Sequence, residues 1–284
     1  MSALLEVRGA TVRYSRAAAA GGSITAVDEV DLAIQAGEIL AVVGESGCGK
    51  SSLGRSILGL APLAAGEIRW RGRRIDTLSR KAYRPLRREM QYVFQDPVAS
   101  FDPRMTVAAS VCEPLRALVP ELPASSRAAR VEAMLGEVGL GGDVAARYPH
   151  QLSGGQLQRA GIARALVVDP AFLVCDEPVS ALDVSVQGQI VNLLARIRRE
   201  RGVACLFISH NLAVVAHLAD RIVVMQRGRI VESGTRDAIL GAPHHPHTRM
   251  LLESVPSVDP LAARQLLAAR GASLETADRS GLTS

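Results

Sequence analysis

Lys50, one of only two lysines in 284 residues, sits near the end of the string Gly44-Glu45-Ser46-Gly47-Cys48-Gly49-Lys50-Ser51-Ser52. Its first eight residues match G-x-x-x-x-G-K-[ST], which a chain of this composition would contain by chance with a probability on the order of 10⁻³. The glycines let the backbone curl until successive N–H groups face phosphate oxygens, helped by the positive end of the helix that follows. Lys50 then reaches the β- and γ-phosphates of a nucleotide, and the Ser51 hydroxyl coordinates Mg²⁺. Cys48 lies inside the loop, where N–H groups and Lys50 would favour its thiolate. A glycine-rich surface turn is the bland alternative, and the flanking strand and helix pattern weighs against it.

Two further constellations could do chemistry. Asp176 and Glu177 close the apolar burst FLVCDE. Beside a phosphate loop, Asp176 suits holding Mg²⁺ through water, and Glu177 suits orienting and deprotonating an attacking water. Alone, the pair could equally be a helix N-cap at a strand end. LSGGQ at 152–156 places Ser153, Gly154, Gly155 and Gln156 in a turn that opens a helix. Backbone N–H groups and the helix dipole make that a second anion site; an ordinary Ser-capped helix is the other reading.

The elements that must position these groups are legible. ILAVV (39–43), FLVC (172–175) and VACLFI (203–208) are short apolar bursts separated by helical patterns. That alternation predicts a parallel sheet covered on both faces. In the opening LLEVRGATVRY, Val7 and Val12 are expected inward residues of a strand, and 17–23 a small-residue loop. A helix is expected over 184–200, capped by Asp183 with Gly202 beyond its end, and another over 155–168. Residues 103–140 are mostly helical in pattern, interrupted by prolines at 114, 120 and 123.

Composition excludes several classes. Hydrophobic residues make up 48% and charged residues 21%, too apolar for a disordered chain. The 18 uncharged residues from Gly202 to Ala219 reach the lower limit for a membrane span. Ser209-His210-Asn211 would then sit at mid-bilayer, so a strand, polar turn and helix explain the stretch better. The charge of +5 comes from arginines spread over the whole chain, and nine aromatics are too few for a base-stacking platform. No nucleic-acid partner is expected. The four cysteines show no paired or metal-ligand spacing and read as reduced intracellular thiols. No charged n-region with an apolar h-region opens the chain, which is expected to stay in the cytoplasm.

With its motifs in this order from Leu4 to about Gly241, the sequence resembles the nucleotide-binding subunits of ABC transporters. The resemblance implies a P-loop NTPase parallel-sheet α/β core with an antiparallel β edge subdomain. It also implies an inserted helical subdomain at about 95–165, within an ATP-binding domain over 1–241, and a C-terminal extension over 242–284. It assigns ATP and Mg²⁺ as cofactors. Tyr14 falls where the family stacks an aromatic on adenine. Gln95, in VFQDP, matches a loop glutamine that touches Mg²⁺ and water and signals to the membrane subunit. Ser153 to Gln156 match the turn that binds the γ-phosphate of nucleotide held by the opposite subunit. Asp183, in SALD, matches the loop that crosses the dimer interface. His210, in ISHN, matches a histidine that contacts the γ-phosphate; outside that context a lone histidine after a strand is usually structural.

The segment QDPVASFDPRMTV (95–107) and the tail HPHTRMLLESVP (245–256) resemble the ATPases of dipeptide, oligopeptide and nickel importers. The usual tail has tyrosine where this chain has His247. With no cysteine after Cys205, no iron–sulfur cluster is expected in the tail. The resemblance thus implies an ATPase on the cytoplasmic face of the plasma membrane, peripheral to it. Its partners would be two membrane-spanning permease subunits, a second ATP-binding subunit, identical or paralogous, and indirectly an extracytoplasmic solute-binding protein. The alternatives are a soluble ABC ATPase of DNA repair or translation, which would often carry two cassettes or a long coiled coil, and an export-type cassette.

Overall fold

The computed structural model describes residues 3–15 and 22–253. Most of the 17–23 loop and the extension beyond Glu253 therefore lie outside the described residues. In chain order the strands are β1 (Leu5–Ser15), β2 (Ser23–Ile34), β3 (Ile39–Val43), β4 (Ala65–Trp70), β5 (Arg73–Arg74), β6 (Met90–Val93), β7 (Phe172–Asp176), β8 (Ala204–Ile208), β9 (Arg221–Gln226) and β10 (Arg229–Thr235). The helices are α1 (Lys50–Ile57), α2 (Arg80–Tyr83), α3 (Leu86–Glu89), α4 (Val107–Leu118), α5 (Ala124–Glu137), α6 (Gly142–Ala145), α7 (Gly154–Leu166), α8 (Val184–Arg201), α9 (Leu212–Leu218), α10 (Arg236–Gly241) and α11 (Pro246–Glu253).

The three apolar bursts become neighbours. The main sheet runs β10-β9-β3-β8-β7-β6, parallel throughout except for β10 on its edge. Every residue of β3, β7 and β8 is buried, as strands covered on both faces require. Alternation divides them between two cores. Ile39, Ala41, Val43, Leu173, Cys205 and Phe207 join a cluster with α4, α5, α7, α8 and α9. Leu40, Val42, Val174, Leu206 and Ile208 face α1 and the second sheet. That second sheet, ordered β2-β1-β4-β5, is antiparallel, and Val7 and Val12 point into its core as expected.

Between β6 and β7 the chain leaves the sheet to form α4 to α7. Prolines 120 and 123 fall between helices, but Pro114 lies inside α4. The buried stripe Val107, Val111 and Leu115 carries the helix past it, outweighing the backbone bond that proline cannot donate. The Gly202–Ala219 stretch resolves into strand β8, a polar turn and helix α9. Among the described residues no helix is long and apolar enough to cross a membrane.

Candidate nucleotide site

Because β3, β6, β7 and β8 run parallel, their carboxyl ends share one edge of the sheet, where open α/β folds bind ligands. Each delivers a polar group there. β3 feeds the loop from Gly44 to Ser51, β7 ends at Asp176, β8 leads into Ser209 and His210, and β6 leads to Gln95.

The phosphate loop is tightly wound. Gly49 caps α1 at φ 109°, and a Cβ there would lie 2.0 Å from the Ala26 carbonyl oxygen, so only glycine fits. Lys50 is 4% exposed, and its Nζ donates to the carbonyls of Gly44 and Glu45, each at 2.8 Å. The same curl that aims N–H groups outward turns these carbonyls inward onto the ammonium. A buried charge needs such partners. Ser52 follows Ser51 on the first turn of α1.

Ser51 Oγ donates to Asp176 Oδ1 at 2.8 Å, and the Tyr92 hydroxyl donates to Asp176 Oδ2 at 2.5 Å. Asp176 is 2% exposed, with each carboxylate oxygen satisfied. Burial, and then the Asp176 carboxylate, push the Tyr92 phenol far above its usual range, so it remains a donor. Among the described residues no group of three or more His, Cys, Asp or Glu side chains could hold a metal. The Ser51–Asp176 oxygen pair nevertheless fits Mg²⁺, a hard cation that is bound through one or two protein oxygens and completed by phosphates and water.

Glu177 gathers the other predicted residues. Its Oε2 accepts from Gln95 Nε2 at 3.2 Å and lies 3.2 Å from His210 Nδ1. Its backbone is left-handed, with φ 45°, and its N–H donates to the Ile208 carbonyl at 2.9 Å. A non-glycine residue held in that region stores about 1–2 kcal/mol, a cost met most often at functional sites. Gln95 is thus placed with Glu177 and His210, and no hydrogen bond joins it to Ser51 or Asp176 among the described residues.

The signature turn stands apart. Ser153 caps α7 in a reciprocal box: its Oγ accepts from the Gln156 N–H at 3.3 Å, and Gln156 Oε1 accepts from the Ser153 N–H at 3.0 Å. Among the described residues no hydrogen bond joins residues 153–156 to the phosphate loop. The turn instead packs on the start of α8. A Cβ at Gly155 would lie 2.6 Å from Val186 Cγ1. Asp183 caps α8 as expected, accepting from the Val186 N–H at 2.9 Å and from Ser185 Oγ at 2.7 Å. The Ser185 hydroxyl, and then the Val186 N–H, hold its carboxyl below the usual range. Tyr14 is 40% exposed on β1, and no hydrogen bond or ring contact ties it to the phosphate loop among the described residues.

The structure overturns one expectation and adds two groups. Cys48 does not gain thiolate character: burial pushes its thiol up, outweighing the pull of Lys50. Tyr92 was not singled out by the sequence, because its hydroxyl meets Asp176 only once β6 pairs with β7. His247, 5% exposed on α11, bonds through Nδ1 to Gln226 Nε2 at 3.0 Å and lies 4.0 Å from Glu45 Oε1 of the phosphate loop. The departure at position 247 was its only sequence signal.

The model of the ABC transporter family matches residues 27–180, more than half of the chain. This chain belongs to that family. The model of the oligopeptide/dipeptide transporter C-terminal region matches residues 231–281. The oligopeptide transport ATP-binding protein OppF of Escherichia coli is 48% identical to this ABC subunit over 238 residues, 84% of this chain and 71% of OppF. The glutathione import ATP-binding protein GsiA of Salmonella choleraesuis is 49% identical over 262 residues, 90% of this chain and 42% of GsiA. A dimeric post-hydrolysis ATP-binding cassette bound to ADP and Pi aligns at a TM-score of 0.74 and 27% identity, covering 82% of this chain and 98% of that one. The ABC cassette fold is therefore the one expected from the motifs.

Proposed function

We propose that this ABC subunit hydrolyses ATP to energise import of peptides or of a related solute such as glutathione or nickel. The observation that carries the import reading is the match of residues 231–281 to the oligopeptide/dipeptide transporter C-terminal region. The names of OppF and GsiA support it. Residues 1–241 form the ATP-binding domain, with its helical insert at about 95–165, and 242–284 the extension.

The phosphate loop from Gly44 to Ser52 cradles the triphosphate, with Lys50 turning from its loop carbonyls toward the β- and γ-phosphates. Ser51 and Asp176 hold Mg²⁺, which when bound neutralises charge on the transferring phosphoryl group. Glu177 takes the proton of the attacking water, and His210 and Gln95 fix its carboxylate and sense the γ-phosphate. Tyr14 lies against adenine. Ser153 to Gln156, part-exposed and with no hydrogen bond to the loop of their own chain among the described residues, bind the γ-phosphate of a second subunit arranged head to tail, and Asp183 crosses between the two. Closure of that pair is relayed through 95–107 to two permease subunits at the cytoplasmic face of the plasma membrane, which alternates access.

The test is to purify the full chain from membranes and reconstitute the captured assembly into liposomes. Recovery of membrane-spanning partners and ATP-dependent peptide uptake are the expected results. Mg-ATPase activity recovered only with DNA or ribosomes would replace the import reading with that of a soluble ATPase.

A further inference from the structure

The Asp176 carboxylate is held by two hydroxyls, one on each oxygen: Ser51 on Oδ1 at 2.8 Å and Tyr92 on Oδ2 at 2.5 Å. Ser51 belongs to the phosphate loop. Tyr92 belongs to β6, an edge strand of the sheet, and opposes Val174 of β7, two residues before Asp176. Its ring is 9% exposed and lies against Phe94, with centroids 4.8 Å apart. The phenol is therefore fixed by pairing and packing before it meets the carboxylate. A phenol donates and a carboxylate accepts, so the bond runs from Tyr92 to Asp176.

We propose that Tyr92 is a positioning residue for metal binding, acting through Asp176. By occupying Oδ2, its hydroxyl fixes the carboxylate plane and leaves Oδ1, the oxygen that Ser51 bonds, toward where a metal would be held, directly or through water. Partners of this kind orient a metal-binding group, and their removal commonly lowers metal affinity by about 10–100-fold. A further consequence comes from chain order. Three residues beyond Tyr92, Gln95 bonds to Glu177. The end of one short strand thus fastens both adjacent carboxylates, Asp176 through Tyr92 and Glu177 through Gln95. A buried tyrosine that merely satisfies its hydroxyl on the nearest acceptor would contribute stability and leave metal affinity unchanged.

This inference rests on the proposed metal role of Ser51 and Asp176, so the experiment separates the two. Mn²⁺ binding to the full-length protein is followed by electron paramagnetic resonance with ADP present, and ADP affinity is measured without metal. Tyr92→Phe and Tyr92→Leu both remove the hydroxyl but pack differently, and melting temperature reports their stability. The expected result is Mn²⁺ affinity at least about tenfold weaker in both variants, with metal-free ADP affinity unchanged. In an Asp176→Asn background, Tyr92→Phe should add nothing further. Wild-type Mn²⁺ affinity in either folded variant, or an equal loss of metal-free ADP affinity, overturns the role of Tyr92. Absence of an ADP-dependent Mn²⁺ site in the wild-type protein overturns the metal role of Ser51 and Asp176, and this inference with it.

Discussion

The phosphate loop and the signature turn are both glycine-rich bends that open a helix, yet they are finished in opposite ways. In the first, Lys50 and Asp176 are buried and answered by partners in the same chain. In the second, among the described residues, the Ser153 and Gln156 side chains bond to each other's backbone N–H, and Ser153 and Gly154 are exposed. The first is a site preorganised by its own core. The second is a capped surface turn, which on the proposed reading would use its phosphate chemistry on another molecule.

The largest effect expected from this contrast is at the buried end. Glu177→Gln should retain ATP binding and lower hydrolysis by about 10²–10⁴-fold, the range of a general base. Turnover near wild type would remove Glu177 from that role. Next is the exposed end. Gly155→Ala places a methyl about where Val186 Cγ1 needs room, 2.6 Å away. Because a misplacement of about 1 Å can cost roughly 10²-fold, turnover should fall steeply while ATP binding to the isolated subunit is kept. Adding Val186→Ala should restore turnover. If Gly155→Ala instead weakens ATP binding by the isolated subunit, the two ends are not separate.

Cys48 sharpens the contrast from inside the loop. With its thiol pushed up by burial, the thiolate fraction stays small near neutrality and rises about tenfold per pH unit. Alkylation rates should climb without a plateau from pH 7 to 9, and Mg-ATP should slow them. A plateau near pH 7 would mean that Lys50 wins over burial. The smallest effect belongs to His247. His247→Ala leaves Gln226 without its partner, which should cost about 1–3 kcal/mol in denaturant unfolding. ATP affinity should change little, since Glu45 lies 4.0 Å away; a large loss would show that α11 supports the loop directly.

Much of this was legible because motif and element signals agreed. Lys50, Ser51, Glu177 and Ser153 lie where spacing and flanking pattern place them, and the caps at Asp183 and Gly202 follow from local chemistry. What escaped was set by tertiary neighbours. The Tyr92 bond depends on strand pairing over some eighty residues. Cys48 was decided by burial, which the loop's residues do not reveal, and Pro114 was tolerated because α4 packs a buried stripe. Gln95 bonding to Glu177 rather than near Ser51 is likewise a matter of where β6 ends.

The strand order carries a consequence for the timing of folding. β3, which launches the phosphate loop, lies between β8 and β9, whose residues 204–226 come more than 160 positions later. A chain emerging from the ribosome therefore exposes the loop's apolar strand long before its neighbours exist. Such non-local pairing is slow and leaves unpaired strand edges open to aggregation. The catalytic edge is among the last parts of the molecule to be sealed, so synthesis stalled between β7 and β8 should yield an insoluble chain that already carries the phosphate loop, Asp176 and Glu177 but cannot bring them together.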